Sequence, residues 1–412
     1  MISTPSSHAA SLSGSYTPTQ HQNVTYGPSA ITKLPELVHL LLPSFPSDKN
    51  IRAIIVTGNS LATKTPVIDN VIKLLNDAGI DADVHKGIGQ HAPVAGIKEA
   101  VKLVKSNVNN ILISIGGGSP IDAAKAIAYF LHEEEAADSL DYIPHIAIPT
   151  TLSAAEFTSN AGFTGNEGDK IGVNSAYIVP KVVILDPELS LYTPQGLWIA
   201  SGIRALDHAV ETLYRKGAQL PMKNLALVAI KDLFEALPAC KKDEKDLDAR
   251  GRLQIAAWQS LWLNKLSGPA GLSHSLGHKL GARYSIAHGT CSCLTLPSTV
   301  TFMARELPTS SWGLTSLASA LPFIPANFYP TSSAPDWTQE DSKREAAWKV
   351  GKSIEKLVKD LGVEGKKLDE YGVKEVDLRK IAGQALASLS GWEGIPQDGE
   401  EIIENQILRP LF

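Results

Sequence analysis

Residues 111–130 have the sequence ILISIGGGSPIDAAKAIAYF, and the architecture of the first half of the chain follows from this stretch. A run typical of a buried strand, ILISI, leads into three glycines and then into a segment with helical periodicity. Ser119 suits the N-cap of that helix, Pro120 its first position, and Asp122 the acidic position of a capping box. The stretch therefore predicts a sharp strand-to-helix turn.

The glycine-rich turn, Gly116–Gly118, is a candidate anion-binding site. Because glycine has no side chain, a phosphate can closely approach the free N–H groups and the positive end of the following helix. A pyrophosphate fits such a turn. A turn without any ligand has the same glycine pattern, however, and the G-x-G-x-x-G spacing of the Rossmann fingerprint is absent. The glycines alone leave both interpretations open.

Strand and helix patterns alternate on either side of this turn. Continuous apolar runs, typical of strands covered on both faces, occur in IRAIIVT from Ile51, HIAIP from His145 and KVVILD from Lys181. Helical segments such as ATKTPVIDNVIKLLNDAG and VAGIKEAVKLVK lie between strand runs, which predicts βαβ units and a parallel sheet. After Pro187 the strand signal disappears, and almost every segment to Phe412 has helical periodicity.

These patterns predict an α/β N-terminal domain with a parallel sheet over residues 23–187 and an all-α C-terminal domain over residues 188–412. Residues 1–22 are rich in Ser, Thr and Pro, and we expect a disordered tail because so few apolar groups cannot offset the entropy of ordering. The stretch from Leu307 to Trp337, rich in Pro, Ser, Thr and Trp, is interpreted as a long surface excursion.

Composition excludes several classes of function. The chain has 412 residues, 43% of them hydrophobic, which is enough for two domains with separate cores. Its net charge is −5 and its Lys and Arg residues are scattered, so a nucleic-acid-binding role is not expected. Three cysteines without a C-x-x-C pair fit a reducing compartment. Since neither an apolar run of about 20 residues nor a signal peptide is present, we expect a cytoplasmic protein without membrane partners.

Four of the eleven histidines fall between residues 208 and 288. His274 and His278 are four residues apart on a predicted helix, so both project from one face. His208 lies in SGIRALDHAVETLY, residues 201–214, where the helical pattern places Arg204 one turn before it. Taken singly, such histidines are usually satisfied core residues. Their joint spacing with His288 marks a candidate site.

The motif G-G-G-S-P-x-D-x-A-K at residues 116–125 resembles the nucleotide-binding motif of the iron-containing alcohol dehydrogenase superfamily, which includes glycerol dehydrogenases and maleylacetate reductases. Further blocks resemble those of the superfamily in its order: VTYGPSAITKLPEL from Val24, IPTTLSAAEFT from Ile148, DKIGV from Asp169, ILDPEL from Ile184, ALDHAVETLY from Ala205 and GLSHSLGHKLGARYSIAHG from Gly271. The resemblance implies the dehydroquinate synthase-like fold of iron alcohol dehydrogenases, with a dinucleotide-binding first domain and a catalytic second domain.

The resemblance also implies NAD(P)H as the cofactor. The residues matching its binding groove are Gly117, Gly118 and Ser119 at the pyrophosphate, with Asp122, Thr150, Thr151, Phe157, Lys170 and Leu189 as further lining. Independently, the two threonines follow a predicted strand at its carboxyl end, where open α/β sheets bind ligands, although ordinary turn hydroxyls have the same pattern. Gly58 stands where NAD-selective relatives usually have an acid, so we expect NADPH to be tolerated.

Metal-dependent members of the superfamily bind Fe²⁺ or Zn²⁺ through an aspartate and three histidines. The positions matching those histidines are His208, His274 and His288. His278 resembles a histidine beside the substrate and nicotinamide that helps to move protons. The aspartate position, four residues before the first histidine, is Arg204 here. Asp207 lies about 100° around the helix from His208, so we do not expect it to substitute.

A cation at this position opposes metal binding. Two unit charges 4 Å apart interact by about 4 kcal/mol at an effective dielectric of 20, so a guanidinium facing a dication costs about twice that. If Arg204 turns into solvent instead, a three-histidine site with an open fourth position survives, as catalytic zinc permits. Maleylacetate reductases resemble this chain in lacking the aspartate, where they have asparagine, and in the shape of the PTTLSAAEFT and HAVETLY blocks. The chain departs from them at Arg204 and at Ser275, which replaces a typical lysine.

The sequence therefore predicts a metal-independent NAD(P)H-dependent oxidoreductase that reduces an unsaturated or oxo carboxylic acid such as maleylacetate. In this hypothesis Arg204 stabilises the oxyanion or enolate or anchors a carboxylate, and His278 or His208 supplies the proton. A metal-dependent alcohol dehydrogenase and a non-redox enzyme or binding protein with this fold stay open as alternatives. The family further implies a homodimer. The predicted catalytic residues are Arg204, His208, His274, His278 and His288.

Overall fold

A computed structural model describes residues 14–16, 21–46, 49–89, 92–134, 142–165, 170–215, 218, 220–261, 271–308, 311–330, 342–389 and 398–412. The chain divides into two compact units. The first unit comprises Met1–Pro194 and Lys245–Gln254, and the second comprises Gln195–Glu244 and Ile255–Phe412. No helix in the described ranges combines the length and apolar character that a membrane span needs.

A seven-stranded sheet forms the centre of the first unit. Its strands are Gly14–Tyr16 (β1), Asn23–Tyr26 (β2), Ile51–Thr57 (β3), Ile80–His85 (β4), Ile111–Gly116 (β5), His145–Pro149 (β6) and Val182–Leu185 (β9). The order is β1-β2-β9-β6-β5-β3-β4, with every neighbouring pair parallel except β1 and β2. Asn160–Thr164 (β7) and Lys170–Asn174 (β8) form a separate antiparallel pair. The predicted parallel sheet is confirmed.

Both faces of this sheet are covered, which explains the continuous apolar runs. Along β5, Ile111, Ile113 and Ile115 belong to one buried core and Leu112 to the other, because successive side chains point to opposite faces. The helices of the first unit are Leu34–Leu41 (α1), Asn59–Lys64 (α2), Val67–Asp77 (α3), Val94–Asn107 (α4), Gly118–Glu134 (α5) and Pro187–Ser190 (α6). Helices α1 and α3 pack on the first core, and α4 and α5 on the second.

The first unit differs from expectation at both ends. Residues 14–16 of the expected tail form the edge strand β1, and His21 is buried, while residues 1–13 and 17–20 lie outside the described residues. Main-chain pairing with the edge of β2 orders this segment without needing apolar side chains. The unit also continues to Pro194 instead of ending near Pro187, since α6 packs on the sheet core through Leu189.

In its described part, the second unit is helical throughout. Its helices are Gln195–Tyr214 (α7), Leu220–Lys242 (α8), the later residues of Leu247–Leu261 (α9), Leu272–Tyr284 (α10), His288–Glu306 (α11), Trp312–Ala318 (α12), Ser342–Leu361 (α13), Leu378–Ala387 (α14) and Gly399–Ile403 (α15). Helix α7 is buried on all sides from Trp198 to Tyr214 apart from half-buried Arg204, and it packs against α8 and α11. The predicted all-helical second domain is confirmed.

The prediction of a long surface excursion from Leu307 to Trp337 was wrong for the residues that the structure describes. Ser311 caps α12 by accepting hydrogen bonds from the N–H groups of Gly313 and Leu314. Leu314 and Leu317 are buried, and α12 packs against α13 and α7. The high content of Pro and Ser concealed a short helix with an apolar face. Residues 331–337 lie outside the described residues.

Candidate active site

The glycine-rich turn joins β5 to α5 in the first unit. Gly116 has a φ of +141°, which only glycine adopts without strain. A β-carbon at Gly117 would lie 3.2 Å from Cγ2 of Thr151, and one at Gly118 would lie 3.2 Å from Oγ of Ser153. Residues 151–153 therefore pack directly on the turn. Helix α5 begins at Gly118, so Ser119 lies in its first turn and not at the predicted N-cap.

Two buried hydroxyls beside the turn have no hydrogen-bond partner among the described residues. Thr150 follows strand β6 and its N–H donates to the Gly116 carbonyl at 2.8 Å. Oγ1 of Thr151 and Oγ of Ser153 are buried and make no hydrogen bond to any described residue. Buried hydroxyls are normally paired, and these two lie at the N-terminus of a 17-residue helix. The arrangement fits a phosphate group.

The other predicted cofactor residues lie in different elements of the first unit. Asp122, the fifth residue of α5, lies 3.3 Å from the ammonium group of Lys125. Phe157 is buried in a 3₁₀ turn, Ala155–Phe157, that packs on α5. Leu189 is half-buried and packs against the sheet core. Lys170 begins strand β8, but its side chain lies outside the described part of the chain.

The second unit brings the four predicted histidines together in one row, the histidine cluster. The ring centroids of His208 and His274 are 4.8 Å apart, those of His274 and His278 are 6.5 Å apart, and those of His278 and His288 are 5.8 Å apart. His208 on α7 and His274 on α10 are buried, His288 at the start of α11 is half-buried, and His278 is exposed. Three helices thus converge on a cluster that opens towards His278.

Two buried carboxylates, Asp207 and Glu211, lie beside these histidines. Sequence reasoning considered Asp207 only as a substitute metal ligand and missed Glu211. Nδ1 of His274 lies 2.7 Å from Oε2 of Glu211 and 3.2 Å from Oδ1 of Asp207. Both acids are on α7 and are at most 1% exposed. Their spacing of four residues, which places them on one helix face, was the available signal. Because Asp207 and His208 are adjacent on α7, their side chains point in different directions, and that of Asp207 points towards α10.

Glu211 also holds the first turn of α10. Its Oε1 accepts hydrogen bonds from the Ser273 N–H at 2.7 Å and from the Tyr214 hydroxyl at 3.2 Å. A carboxylate at a helix N-terminus satisfies a free N–H group and interacts favourably with the helix dipole. A β-carbon at Gly271 would overlap this carboxylate, so the chain approaches Glu211 at a residue without a side chain.

Arg204 is held within the cluster instead of turning into solvent. Its Nη1 donates to Oγ of Ser292 at 3.3 Å and lies 3.5 Å from Oδ2 of Asp207, and its side chain is 11% exposed. The same Asp207 oxygen accepts from Ser292 at 2.6 Å and from Ser273 at 3.0 Å. Within the described part of the chain, no hydrogen bond engages Nε or Nη2 of Arg204. Nη1 is therefore fixed by Asp207 and Ser292, whereas the N–H groups of Nε and Nη2 are not engaged by any described residue.

The charges of this network separate the two buried histidines. Burial and the Arg204 guanidinium oppose protonation of His274, but Asp207 and Glu211 outweigh them and raise its pKa. Burial, followed by the positive charges of His274 and Arg204, holds the pKa of His208 well below its usual range. Burial raises the pKa of Glu211, with a further contribution from Asp207. The network therefore favours the protonated form of His274 and the neutral form of His208.

Both parts of the chain match models of one protein family. Residues 21–187 match the iron-containing alcohol dehydrogenase model, and residues 198–404 match the Fe-containing alcohol dehydrogenase family, C-terminal model. The chain belongs to the iron-containing alcohol dehydrogenase family. The resemblance found in the sequence is thus confirmed, and the protein is an oxidoreductase of this family.

Relatives within the family differ in their activity. A maleylacetate reductase of Pseudomonas knackmussii is 30% identical over 291 residues, covering 69% of this chain and 74% of that protein. An NAD-dependent methanol dehydrogenase of Bacillus methanolicus is 32% identical over 262 residues, covering 61% and 68%. The crystal structure of maleylacetate reductase from Agrobacterium tumefaciens has a TM-score of 0.74 at 24% identity, covering 94% of this chain and 95% of that one. This structural similarity supports the expected fold.

Proposed function

We propose that the protein is a metal-independent NAD(P)H-dependent reductase of an unsaturated or oxo carboxylic acid, such as maleylacetate. The observation that carries this proposal is Arg204, held beside the histidine cluster at the position where metal-dependent relatives have an aspartate ligand. The similarity to a maleylacetate reductase over more than two thirds of both chains supports the same conclusion.

The first unit supplies the cofactor site in this proposal. The glycine-rich turn, the N-terminus of α5 and the buried hydroxyls of Thr151 and Ser153 fit the pyrophosphate of a dinucleotide. Bound NAD(P)H supplies the hydride. Gly58, between β3 and α2, has no carboxylate to repel a 2′-phosphate, so the use of NADPH as well as NADH stays a prediction. The cytoplasmic location and the homodimer also stay predictions.

Iron or zinc does not fit the donor set of the second unit. The position of the missing aspartate holds a guanidinium, which costs about 8 kcal/mol against a dication 4 Å away at an effective dielectric of 20. Oδ2 of Asp207 and both oxygens of Glu211 already accept hydrogen bonds, and Oδ1 of Asp207 lies 3.2 Å from Nδ1 of His274. The proposed reaction therefore uses no metal.

Arg204 takes over the stabilisation of negative charge. When hydride reaches the carbon of a carbonyl or conjugated alkene, the electron pair moves to the substrate oxygen and an oxyanion or enolate forms. The Nε and Nη2 donors of Arg204, free of other described residues, present the paired geometry that binds such oxygens or a carboxylate. Asp207 and Ser292 fix the other edge and so limit reorganisation during the reaction.

The proton comes from the exposed side of the cluster. A low pKa, caused first by burial, makes His208 a neutral imidazole at neutral pH and removes it as a proton donor. His278 is exposed and neighbours both His274 and His288, so it is the donor in this proposal. Its proton is transferred to the oxyanion or enolate, which completes the reduction while NAD(P)H becomes NAD(P)⁺.

An assay of NADH consumption with maleylacetate, with and without a chelator, tests the proposal. We expect maleylacetate-dependent oxidation of NADH that the chelator does not change. Activity with alcohols and NAD⁺ that the chelator abolishes would indicate the alternative, a metal-dependent alcohol dehydrogenase. One observation favours that alternative: donor atoms of Asp207, Glu211 and His274 lie within 4.8 Å of one another. If no substrate causes oxidation or reduction of the cofactor, the result would favour the other alternative, a non-redox enzyme or binding protein.

A further inference from the structure

Lys125 is a fully buried cation in the first unit that the proposed chemistry does not use. It lies on α5, three residues after Asp122, and its side chain is 0% exposed. Its Nζ donates to the Asn160 carbonyl at 2.6 Å and to Oγ1 of Thr158 at 3.0 Å, and forms an ion pair with Oδ1 of Asp122 at 3.3 Å. An ammonium group has three protons, and each has an acceptor here.

These acceptors belong to two separate segments of the chain. Asp122 is the fifth residue of α5, four residues after Gly118 of the glycine-rich turn, whereas Thr158 and Asn160 follow the turn Ala155–Phe157. Oγ1 of Thr158 also donates to the Ala155 carbonyl at 3.1 Å, so the contact extends into that turn. Lys125 therefore ties the start of α5 to the Ala155–Phe157 turn.

The Ala155–Phe157 turn contacts the glycine-rich turn directly. A β-carbon at Gly118 would lie 3.2 Å from Oγ of Ser153 and 3.7 Å from the β-carbon of Ala155. The position of these residues thus sets how much space lies above Gly118. A shift of the turn changes the phosphate site without changing any group that touches the phosphate.

The buried groups around Lys125 make the ammonium hard to replace. Glu156 is 1% exposed, and burial raises its pKa to about 7 although Lys125 opposes this. His145 and His21 are also buried, which lowers their pKa values to about 3 and about 4, so both are neutral at neutral pH. Removing the ammonium takes away the donor that joins the partly exposed Asp122 to Thr158 and to the Asn160 carbonyl, so the hydrogen bonds between the two segments are lost.

We propose that Lys125 is a positioning residue for cofactor binding, holding Asp122 and the Ala155–Phe157 turn in place so that the phosphate site is formed before the cofactor arrives. The inference rests on the proposed cofactor site in the first unit. A preformed site avoids the cost of ordering these segments on binding. Loss of Lys125 should therefore weaken cofactor binding while leaving the catalytic residues of the second unit unchanged.

Titration of the purified protein with NADH, followed by fluorescence, tests this inference in Lys125→Met. We expect the Kd for NADH to rise about tenfold, equivalent to about 1.4 kcal/mol. At saturating NADH and substrate, kcat should stay within about twofold, a split between Kd and kcat that a general loss of structure does not produce. Lys105→Met is the matched control, because Lys105 forms an ion pair with Glu134 at the surface of the same unit. Its Kd should match that of the wild type.

Thr158→Val provides a second variant if Lys125→Met does not fold. It preserves the shape of the side chain but removes one acceptor of Lys125, so we expect a smaller rise in the Kd for NADH. In the double variant the two effects should not add, since both disrupt one network. Wild-type Kd values in the folded variants, or a fall in kcat at unchanged Kd, would overturn the inference. A wild-type protein that does not bind NADH would contradict the proposed function instead.

Discussion

The glycine-rich turn of the first unit and the histidine cluster of the second are built in different ways. Main-chain groups and residues close in sequence form the turn, where strand β5 runs directly into helix α5. Side chains from α7, α10 and α11 form the cluster, and one of its buried contacts joins Glu211 to His274, 63 residues apart. A local site depends on backbone conformation, whereas a distant one depends on how charges pair across helices.

The same contrast separates the roles of the two buried networks. In the first unit, Lys125 is the cation among hydrogen-bond acceptors and its contacts hold two segments together. In the second, Arg204 keeps donors on one edge that no described residue engages. The first network is complete within the protein, and the second has capacity for a substrate oxygen.

The largest expected effect is on turnover in Arg204→Ala. If the guanidinium stabilises the oxyanion or enolate, kcat/KM with maleylacetate should fall about 10²- to 10³-fold, as when an oxyanion donor is removed. The Kd for NADH should not change, because the proposed cofactor site lies on the first unit. Arg204→Lys is the control, since lysine keeps the charge but loses the paired donors. An unchanged kcat/KM in Arg204→Ala removes this residue from the mechanism.

A smaller effect is expected on stability in Gly271→Ala. The added β-carbon overlaps the Glu211 carboxylate, so the contacts of Glu211 with Ser273 and His274 must shift. We expect a loss of about 2–4 kcal/mol, seen as a Tm lower by several degrees in a thermal unfolding scan. Gly196→Ala in α7 is the matched control, because a β-carbon at Gly196 meets nothing within 4 Å. The Tm of this variant should not fall. Equal Tm values for the two variants would contradict the close approach at Glu211.

The smallest effect concerns pH and the first unit. Burial raises the pKa of Glu156 from 4.5 to about 7, so folding favours the protonated acid. The associated stability is present below about pH 4.5 and is lost as the pH rises to about 7, by at most about 3 kcal/mol. Glu156→Gln keeps a neutral group at every pH. The difference in Tm, variant minus wild type, should therefore increase from pH 5 to pH 8. A Tm difference that does not change with pH would contradict a buried titrating acid.

Local patterns predicted the first unit better than the second. Apolar runs and the glycines indicated β3, β5, β6 and β9 and the turn at Gly116–Gly118, because each depends on neighbouring residues. Thr65 and Pro66 nevertheless broke one predicted helix into α2 and α3, since proline lacks the N–H and excludes helical geometry before it. The antiparallel pair of β7 and β8 was not predicted.

In the second unit, sequence predicted which histidines meet but not what holds them. The spacing of His274 and His278 and the family motif selected the four rings. The pairing of Asp207 and Glu211 with His274 depends on how α7 and α10 pack, which no local pattern contains. The sequence analysis considered Asp207 only as a replacement for the missing aspartate at Arg204, and it did not consider Glu211.

The most direct test is the iron and zinc content of the purified wild type and of Arg204→Asp, which restores the carboxylate of the metal-dependent relatives. If Arg204 has replaced metal chemistry, the wild type should contain far less than one equivalent of metal per chain, and Arg204→Asp should bind about one equivalent. About one equivalent of iron or zinc in the wild type, released together with its activity by a chelator, would contradict the account.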